Sequence, residues 1–327
     1  MAKRMNIALL AGGNSSEYEV SIGSAAQVIE VLNWAKYTPW LIKVKDTRWF
    51  YTDPRGRETD VNKNDFSLEL DGEKIFLEYA LILIHGTPGE DGLMQAYFEM
   101  MEIPFSSSGF LTSAVTFDKS ACKRMLAPTG VALAREILLT RGDAVNVPAV
   151  VAELGLPLFV KPNASGSSCG VSKVKRAEEL LPAIEVALSE GDQVIIEEFI
   201  AGTEVSCGVM VTGGQPTLFP ATEIVSKNEF FDYQAKYTPG MSEEITPARI
   251  PESETRELNR LSLLIYQWLR CRGVVRIDYI IQQGTPFLIE INTVPGMSAG
   301  SIIPKQAAAI GMTLTELFDK IISDTLK

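Results

Sequence analysis

The segment 274–292 constrains the fold more than any other part of the chain, because polar and apolar residues alternate in it. Arg276 and Asp278 carry the polar positions of a first run, and Glu290 and Asn292 carry those of a second. The apolar positions are Val275, Ile277, Tyr279, Ile289 and Ile291. Successive side chains of a strand point to opposite faces, so the pattern predicts a two-stranded hairpin with one apolar and one polar face.

The polar face of this hairpin suits a divalent cation. If the loop around Gly284 has an odd number of residues, Asp278 lies opposite Glu290 and Arg276 lies opposite Asn292. Carboxylates that face each other destabilise a sheet, and a cation removes that cost. Two carboxylates and an amide oxygen are hard ligands of the kind that suit Mg²⁺. The alternative is a solvated strand face with an arginine–carboxylate pair, and periodicity alone favours that alternative.

Short apolar runs alternate with helical patterns in the first third of the chain. They predict strands at 6–11, 39–44, 80–84 and 103–106, helices around 22–29 and at 91–102, and a hairpin or surface excursion at 46–74. Strands alternating with helices indicate a parallel sheet with helices on its faces. Ligands bind beyond the carboxyl ends of such strands, where Gly12-Gly13 and His85-Gly86 would lie.

The rest of the chain mixes strands and helices less regularly, so the fold class is α/β at the N-terminus and α+β overall. Predicted helices are 119–126, 148–154, 177–188, 252–272 and 314–326. Predicted strands are 137–139, 158–161, 171–174, 193–199, 205–211, 217–224, 274–282 and 286–291. Loops are expected at 163–170, rich in Gly and Ser, and at 226–241. We expect three domains, 1–117, 118–208 and 209–327.

Composition excludes several classes of protein. The 327 residues include one histidine, His85, which excludes zinc sites built on two or three histidines. Lys and Arg number 30 against 41 Asp and Glu, and the net charge of −11 argues against nucleic-acid or basic membrane-binding surfaces. Local lysines and glycine-rich loops can still bind phosphate.

The cysteines and the apolar runs indicate the compartment. Cys122, Cys169, Cys207 and Cys271 lie far apart and form no CxxC pair, as expected in a reducing environment. The apolar run 7–11 is too short for the core of a signal peptide, and no stretch reaches the roughly 18 apolar residues of a membrane span. We therefore expect a cytoplasmic protein.

Glu-Ile-Asn-Thr followed by Pro-Gly shifts the interpretation of the hairpin toward a metal site. The sequence LIEINTVPGM at 288–297 closely resembles the C-terminal signature of the D-alanine–D-alanine ligases, members of the ATP-grasp superfamily. Four further elements of that family recur in order, at 12–21, 85–92, 161–170 and 276–278. The resemblance covers essentially the whole chain. It implies an N-terminal parallel-sheet substrate domain followed by two α+β domains that clamp ATP.

The resemblance implies how the phosphates of ATP are held. The loop 163–170 resembles the flap that covers them, and Lys119 and Lys161 would neutralise their charge. The other residues implied beside the phosphates are Ser167, Ser168 and Lys236. Without the resemblance, the Gly/Ser stretch would indicate only a flexible hairpin, and it is not a Walker A loop.

The resemblance also implies an adenosine site. Glu197, Glu198 and Ile200 lie where the family has a hinge that binds adenine, and Glu204 would hold the ribose hydroxyls. Paired acids at the end of a strand are otherwise usually solvated.

Two residues would meet the first D-alanine. By resemblance, Glu17 binds its ammonium group and His85 lies near its carboxylate. Tyr237 would hydrogen-bond toward Glu17 and Ser167. The alternatives are helix-start chemistry for Glu17, a structural or solvated role for His85 and simple packing for Tyr237.

The second D-alanine and the reacting carbonyl involve the C-terminal signature. Ser301 would bind the carboxylate of the second D-alanine next to Ile302. Arg276, with N–H groups near Gly296, would stabilise the tetrahedral oxyanion. The metal ligands implied for two Mg²⁺ or Mn²⁺ ions are Asp278, Glu290 and Asn292.

The function implied is ATP-dependent ligation of two D-alanines through an acyl phosphate, for peptidoglycan precursors, by an enzyme that is a homodimer in this family. One alternative is a sibling ligase whose second substrate is D-lactate, D-serine or another amine, and Tyr237 argues for the amine. Another is a regulatory protein that binds nucleotide without chemistry, which the presence of Lys161 and the metal carboxylates disfavours. Segmentation alone would also allow an amino-acid-binding protein without nucleotide.

Overall fold

The computed structural model describes residues 3–15, 17–166, 169–226 and 241–326. Its mixture of sheets and helices confirms the predicted α/β class. None of the helices within these ranges is long and apolar enough to cross a lipid bilayer.

The first sheet is formed by the N-terminal strands. Its members are β1 (Met5–Gly12), β2 (Tyr37–Lys45), β3 (Arg48–Thr52), β4 (Glu58–Asp60) and β7 (Tyr79–Ile82). The order is β4-β3-β2-β1-β7, and β1 pairs in parallel with both β2 and β7. Helix α1 (Tyr18–Val31) connects β1 to β2, as predicted. The stretch 46–74 extends this sheet through β3 and β4, and β5 (Ser67–Leu70) and β6 (Glu73–Phe76) form a separate hairpin.

Two predictions in this region are corrected. The predicted strand 103–106 is a single bridge between Ala80 and Phe105, because Pro104 has no N–H to extend a ladder. The predicted helix 91–102 is shorter, as α2 (Leu93–Met100), and a further helix, α3 (Phe110–Phe117), follows it. Helix α3 is not among the helices predicted from the sequence.

A four-stranded antiparallel sheet lies in the middle of the chain. It has the order β11 (Ser172–Val174), β10 (Leu158–Pro162), β12 (Gln193–Glu198), β9 (Glu136–Thr140). Its helices are α4 (Lys119–Leu126), α5 (Val147–Leu154) and α6 (Leu180–Leu188). Asp118 caps α4 by accepting a hydrogen bond from the Ala121 N–H, as a helix start requires.

The third sheet has seven strands. They are β8 (Ala132–Leu133), β13 (Thr203–Thr212), β14 (Gln215–Leu218), β15 (Thr222–Ser226), β16 (Ser242–Ile245), β17 (Val274–Gln282) and β18 (Thr285–Asn292). The helices of this region are α7 (Glu252–Trp268), α8 (Ile302–Ala309) and α9 (Leu314–Thr325).

Two boundaries in this region differ from the prediction. The single strand expected at 217–224 is two strands, because Pro220 between them cannot donate to a ladder. Helix α7 ends at Trp268 instead of residue 272, and Arg270 after it has a positive φ of 53°. The Gly273 φ is also positive, and a Cβ there would lie 2.2 Å from the Ser106 carbonyl oxygen.

The β17–β18 hairpin reaches the predicted pairing by an unexpected route. Its turn has two residues, Gln283 and Gly284, both with positive φ, as a tight hairpin turn requires. An even turn alone would place Asp278 opposite Ile289. A β-bulge after Asp278 shifts the register by one residue and brings Glu290 opposite it.

The bulge also corrects the predicted apolar face. Leu288 and Ile291 belong to the core of the third sheet, whereas Ile289 lines the cavity described below. The premise of an odd loop was wrong, and the facing of Asp278 with Glu290 and of Arg276 with Asn292 is confirmed.

Stability depends on the packing of α7 against the third sheet. Leu258 is fully buried in that core. We expect Leu258→Ala to lower the free energy of unfolding by about 2–5 kcal/mol, because it leaves a cavity in close-packed surroundings. Leu181→Ala on α6 is the matched control, since Leu181 is 48% exposed, and it should change stability by no more than about 0.5 kcal/mol. Equal decreases in the free energy of unfolding for the two variants, measured by chemical denaturation, would contradict this packing.

Candidate active site

One cavity of about 650 Å³ lies between the three sheets. All predicted site residues that fall within the described ranges line it. They are Glu17, His85, Lys119, Lys161, Glu197, Glu198, Ile200, Glu204, Arg276, Asp278, Glu290, Asn292, Gly296, Ser301 and Ile302. Ser167, Ser168, Lys236 and Tyr237 lie outside the described residues, so their predicted roles stay predictions.

The β17–β18 hairpin forms one wall of the cavity. The guanidinium group of Arg276 donates to both oxygens of Asp278 at 2.8–3.1 Å and to Glu290 at 3.4 Å. The Ser206 hydroxyl donates a further, short hydrogen bond to Asp278. Burial alone would lower the pKa of Arg276, but Asp278 and Glu290 beside it raise that pKa above its usual range. Arg276 therefore stays charged and partly offsets the facing carboxylates.

The donor set of this wall fits a hard divalent cation. Asp278 and Glu290 face each other, and Asn292 lies two residues further along the same edge of β18. The Asn292 side-chain oxygen also accepts a hydrogen bond from the Val294 N–H at 2.9 Å, which orients it. Among the described residues, no group of three or more His, Cys, Asp or Glu side chains is arranged to hold a metal ion by itself. A cation here would use two carboxylates, one amide and oxygens of substrate or water, as Mg²⁺ does.

The carboxyl ends of β1 and β7 contribute another wall of the cavity. The buried Ser21 hydroxyl accepts from the Gly12 N–H at 2.9 Å and donates to the Leu83 carbonyl at 2.7 Å, which ties the two strand ends together. The Ser15 hydroxyl donates to the His85 carbonyl at 2.8 Å. Glu17, at the start of α1, is buried and lines the cavity here. The predicted edge of the parallel sheet is thus part of the cavity.

Glu90 controls the surroundings of His85. Its carboxylate accepts from the Gly86 N–H at 2.9 Å and lies 3.9 Å from His85 Nδ1. Burial alone would lower the pKa of His85, but the nearby carboxylate of Glu90 and the charge of Glu17 outweigh burial and the opposing charge of Arg276. The pKa of His85 is therefore raised.

A buried ionic cluster lies on the four-stranded sheet. Lys161 Nζ is 2.5 Å from one oxygen of Glu197, and Lys123 Nζ is 2.6 Å from the other. Lys123 also contacts Glu136 at 2.8 Å. Burial alone would raise the pKa of Glu197, but the two ammonium groups outweigh it and hold that pKa below its usual range. Glu197 is therefore a fixed, ionised acceptor at the cavity.

The remaining predicted residues occupy separate parts of the cavity wall. Lys119, in the first turn of α4, donates to the Ser165 carbonyl at 2.8 Å, beside the predicted flap. Ser301 precedes α8, and its hydroxyl shares a 2.8 Å hydrogen bond with Ser298. A Cβ on Gly296 would lie 2.8 Å from the Ser301 hydroxyl oxygen, so this position admits no side chain without a shift.

Glu198 is the last residue of β12, and Ile200 and Glu204 follow it. Glu198 pairs with Arg135 through its side chain and backbone. Ile200 is buried, and Glu204 pairs in register with Ile280 and Ile224 of neighbouring strands.

Three residues at or beside this cavity, Glu90, Lys123 and Glu136, were not predicted to have a role. Glu90 lies within the 85–92 motif of the family, but no function was predicted for its side chain. Lys123 lies four residues after Lys119 on α4, a spacing that puts both on one helix face and could have identified it. Glu136 gave no signal, because its proximity to Lys123 arises from strand pairing that the sequence does not show.

The chain resembles known proteins over its full length. Residues 6–108 match the family model described as the D-ala D-ala ligase N-terminus, and residues 125–323 match the one described as its C-terminus. The chain is 46% identical to the D-alanine–D-alanine ligase of Bacteroides fragilis over 322 residues, covering 98% of this chain and 99% of that protein. It is 45% identical to that of Porphyromonas gingivalis, covering 99% and 98%.

Solved structures give the same result. A D-Ala:D-Ser ligase from Enterococcus faecalis matches with a TM-score of 0.86 and 30% identity, over 98% of this chain and 99% of that one. A D-alanine–D-alanine ligase from Bacillus anthracis complexed with ATP matches with a TM-score of 0.79 and 30% identity, over 98% and 97%. Fold and cavity together define the ATP-grasp class.

Within that class the assignment is specific. The two family models together span most of the sequence, and the relatives match it nearly end to end. The chain belongs to the D-alanine–D-alanine ligase family.

The environment of His85 predicts a measurable titration. Because it is the only histidine, its imidazole signal in NMR is unambiguous. We expect its pKa to lie above the ordinary value of about 6.5. The contribution of protonated His85 to the free energy of unfolding is fully present below the ordinary pKa of about 6.5. It is lost as pH rises through the raised pKa of the folded protein. Glu90→Gln should lower the pKa, whereas Glu69→Gln, on an exposed strand position, should leave it unchanged. An identical titration in both variants would contradict the role of Glu90.

Proposed function

We propose that this chain joins two D-alanine molecules into D-alanyl-D-alanine at the expense of ATP, for peptidoglycan precursor synthesis. The observation that carries the proposal is the single cavity on which the phosphate-type lysines, the facing carboxylates of the hairpin and the Glu17–His85 wall converge. Membership of the family supports the same chemistry. The product belongs to the cytoplasmic part of wall synthesis, and the free thiols of all four cysteines support that location.

The reaction has two steps, because a free carboxylate is a poor electrophile. First, a carboxylate oxygen of the first D-alanine bonds to the γ-phosphorus of ATP as the bond from that phosphorus to ADP breaks. Next, the amine of the second D-alanine attacks the carbonyl carbon of this acyl phosphate. The amine loses a proton, the carbon–oxygen bond breaks, and inorganic phosphate leaves.

The residues of the chain bind and orient the reactants. Glu17 holds the ammonium group of the first D-alanine, and His85 lies by its carboxylate. Lys119 and Lys161 offset the charge of the ATP phosphates. Glu204 holds the ribose.

A second group of residues serves the attack of the second D-alanine on the acyl phosphate. Arg276, with N–H groups near Gly296, stabilises the oxyanion that forms as the amine attacks. Ser301 and Ile302 hold the second D-alanine, and the N-terminus of α8 favours its carboxylate.

Asp278, Glu290 and Asn292 would hold two Mg²⁺ or Mn²⁺ ions. When bound, these ions would neutralise the phosphate charge and polarise the phosphoryl oxygens. The Asp278–Glu290 facing supports this assignment, because two carboxylates set opposite each other gain from an added cation.

A second candidate is a sibling ligase with a different second substrate. One solved neighbour is a D-Ala:D-Ser ligase, which supports keeping this alternative. Tyr237, whose presence argues for an amine over the hydroxyl of D-lactate as the second substrate, lies outside the described residues. A product assay with D-alanine, D-serine and D-lactate offered together would separate the candidates.

We expect ATP-dependent phosphate release with D-alanine, none with L-alanine, and loss of release when EDTA removes divalent cations. Asp278→Asn should lower kcat at least about 1,000-fold, because it removes a carboxylate that balances Arg276 and would bind metal. Asp192→Asn, at an 83% exposed side chain, is the isosteric control and should keep full activity. Near-normal release by Asp278→Asn would contradict the mechanism, and equal release with L-alanine would contradict the substrate.

We also propose that the chain forms a homodimer and divides into the domains 1–117, 118–208 and 209–327. Large apolar side chains are exposed on α2 and on the adjoining α3, which supports a surface for a second copy. They are Leu93, Met100, Phe110 and Leu111. An interface of this kind would remove them from water.

The homodimer predicts a change of mass on mutation. Leu111→Glu should shift the protein to a monomer in light scattering, because a buried charge without a partner opposes association. Leu156→Glu, two residues after the end of α5 at a 39% exposed side chain, is the control and should stay dimeric. A wild-type protein that is monomeric at micromolar concentration would contradict the proposal.

A further inference from the structure

A second pair of facing carboxylates lies on the four-stranded sheet. Glu197 of β12 is directly opposite Glu136 of β9 in the register of the antiparallel pair. Both are largely removed from water, with side chains 10% and 17% exposed. Like charges placed directly opposite each other destabilise a sheet, so this pair needs a cation between its members.

Lys123 supplies that cation. Its ammonium group is 2.6 Å from Glu197 and 2.8 Å from Glu136, and its side chain is 9% exposed. Ser120, one turn earlier on α4, donates to the other oxygen of Glu136 at 2.6 Å. Lys123 is absent from the cavity wall, so it acts on a ligand only through other residues.

The single ammonium group of Lys161 has two possible partners, a phosphate of ATP and the carboxylate of Glu197. It lines the cavity where the phosphates of ATP are proposed to bind, and it is 2.5 Å from Glu197 in this structure. Lys161 and Glu197 lie diagonally across β10 and β12, since Glu197 pairs with Phe159, two residues before Lys161. If Lys161 turns to a phosphate, Glu197 loses one of its two cations.

We propose that Lys123 is a positioning residue for the nucleotide: it retains Glu197 in its ionised, oriented form while Lys161 leaves that carboxylate for a phosphate of ATP. The proposal rests on the function proposed above. A buried carboxylate that lost both cations would be strongly disfavoured, so without Lys123 the ammonium group of Lys161 stays on Glu197. The nucleotide would then compete with a carboxylate for Lys161.

The same geometry makes Glu197 selective for the base. An ionised carboxylate only accepts hydrogen bonds, so it favours a purine with an exocyclic amine over one with a carbonyl at that position. ATP carries the amine and ITP carries the carbonyl. Lys123 holds one oxygen of Glu197 at 2.6 Å, so its loss leaves that oxygen free to turn and should weaken discrimination as well as affinity.

The test compares steady-state kinetics of three variants. Lys123→Met should raise KM for ATP about tenfold or more and lower the ATP-to-ITP ratio of kcat/KM about tenfold. It should keep kcat within about threefold and leave KM for D-alanine unchanged. Arg124→Met is the matched control, because Arg124 is exposed on the same helix and the change in net charge is identical. It should behave as the wild type.

The double variant Lys123→Met/Glu136→Gln separates positioning from charge balance. Lys123→Met alone leaves two carboxylates with one lysine, and the double variant restores a neutral cluster that folds without an excess buried charge. We expect the rise in KM for ATP and the loss of discrimination against ITP to persist in it. Wild-type kinetics in the double variant, or equal kinetics in Lys123→Met and Arg124→Met, would overturn the proposal.

Failure of the proposed function has a different signature. A wild-type protein that releases no phosphate with D-alanine and ATP would contradict the ligase activity itself. In that case calorimetric titration of wild type and Lys123→Met with Mg·ATP still tests the positioning role. A Kd about tenfold weaker in the variant supports it, and equal values overturn it.

Discussion

Carboxylates that face each other across antiparallel strands are the constraint on which this cavity depends. Asp278 faces Glu290 on one wall, and Glu136 faces Glu197 on another. Neither arrangement is stable without positive charge, because like charges opposite each other raise the free energy of a sheet. Arg276 bridges the first pair and Lys123 bridges the second. Fold stability and ligand binding therefore draw on the same few charges.

The β-bulge at Asp278 is the feature that places two carboxylates opposite each other in the hairpin. A two-residue turn fixes the parity of the hairpin, and by itself it would pair Asp278 with Ile289. The extra residue of the bulge restores the carboxylate facing and turns Ile289 from the core face into the cavity. A bulge thus does two things at once: it sets the pair of acidic groups and supplies an apolar side chain next to them.

Sequence alone predicted most strands and the residues that converge on the cavity, because periodicity and motifs are local signals. It failed where the outcome depends on pairing. The parity of the hairpin could not be foreseen, since a bulge leaves no mark in the alternation. Glu136 was missed for the same reason, and the strand expected at 103–106 was lost to the missing N–H of Pro104. The roles of Ser167, Ser168, Lys236 and Tyr237 stay predictions.

The two walls solve the same electrostatic problem with different cations, and this difference has a physical consequence. On the hairpin wall, Arg276 contacts Glu290 only at 3.4 Å, and Glu290 remains 35% exposed, so the pair is open to further positive charge from outside. On the sheet wall, Lys123 contacts both carboxylates within 2.8 Å and is buried with them. A permanent internal cation such as Lys123 suits a carboxylate that must keep one orientation. An open pair such as Asp278 and Glu290 suits a site that would receive its cation together with the phosphates of a ligand. Under the proposed function, the sheet wall thus keeps its own buried cation, whereas the hairpin wall would gain a further cation together with its substrate.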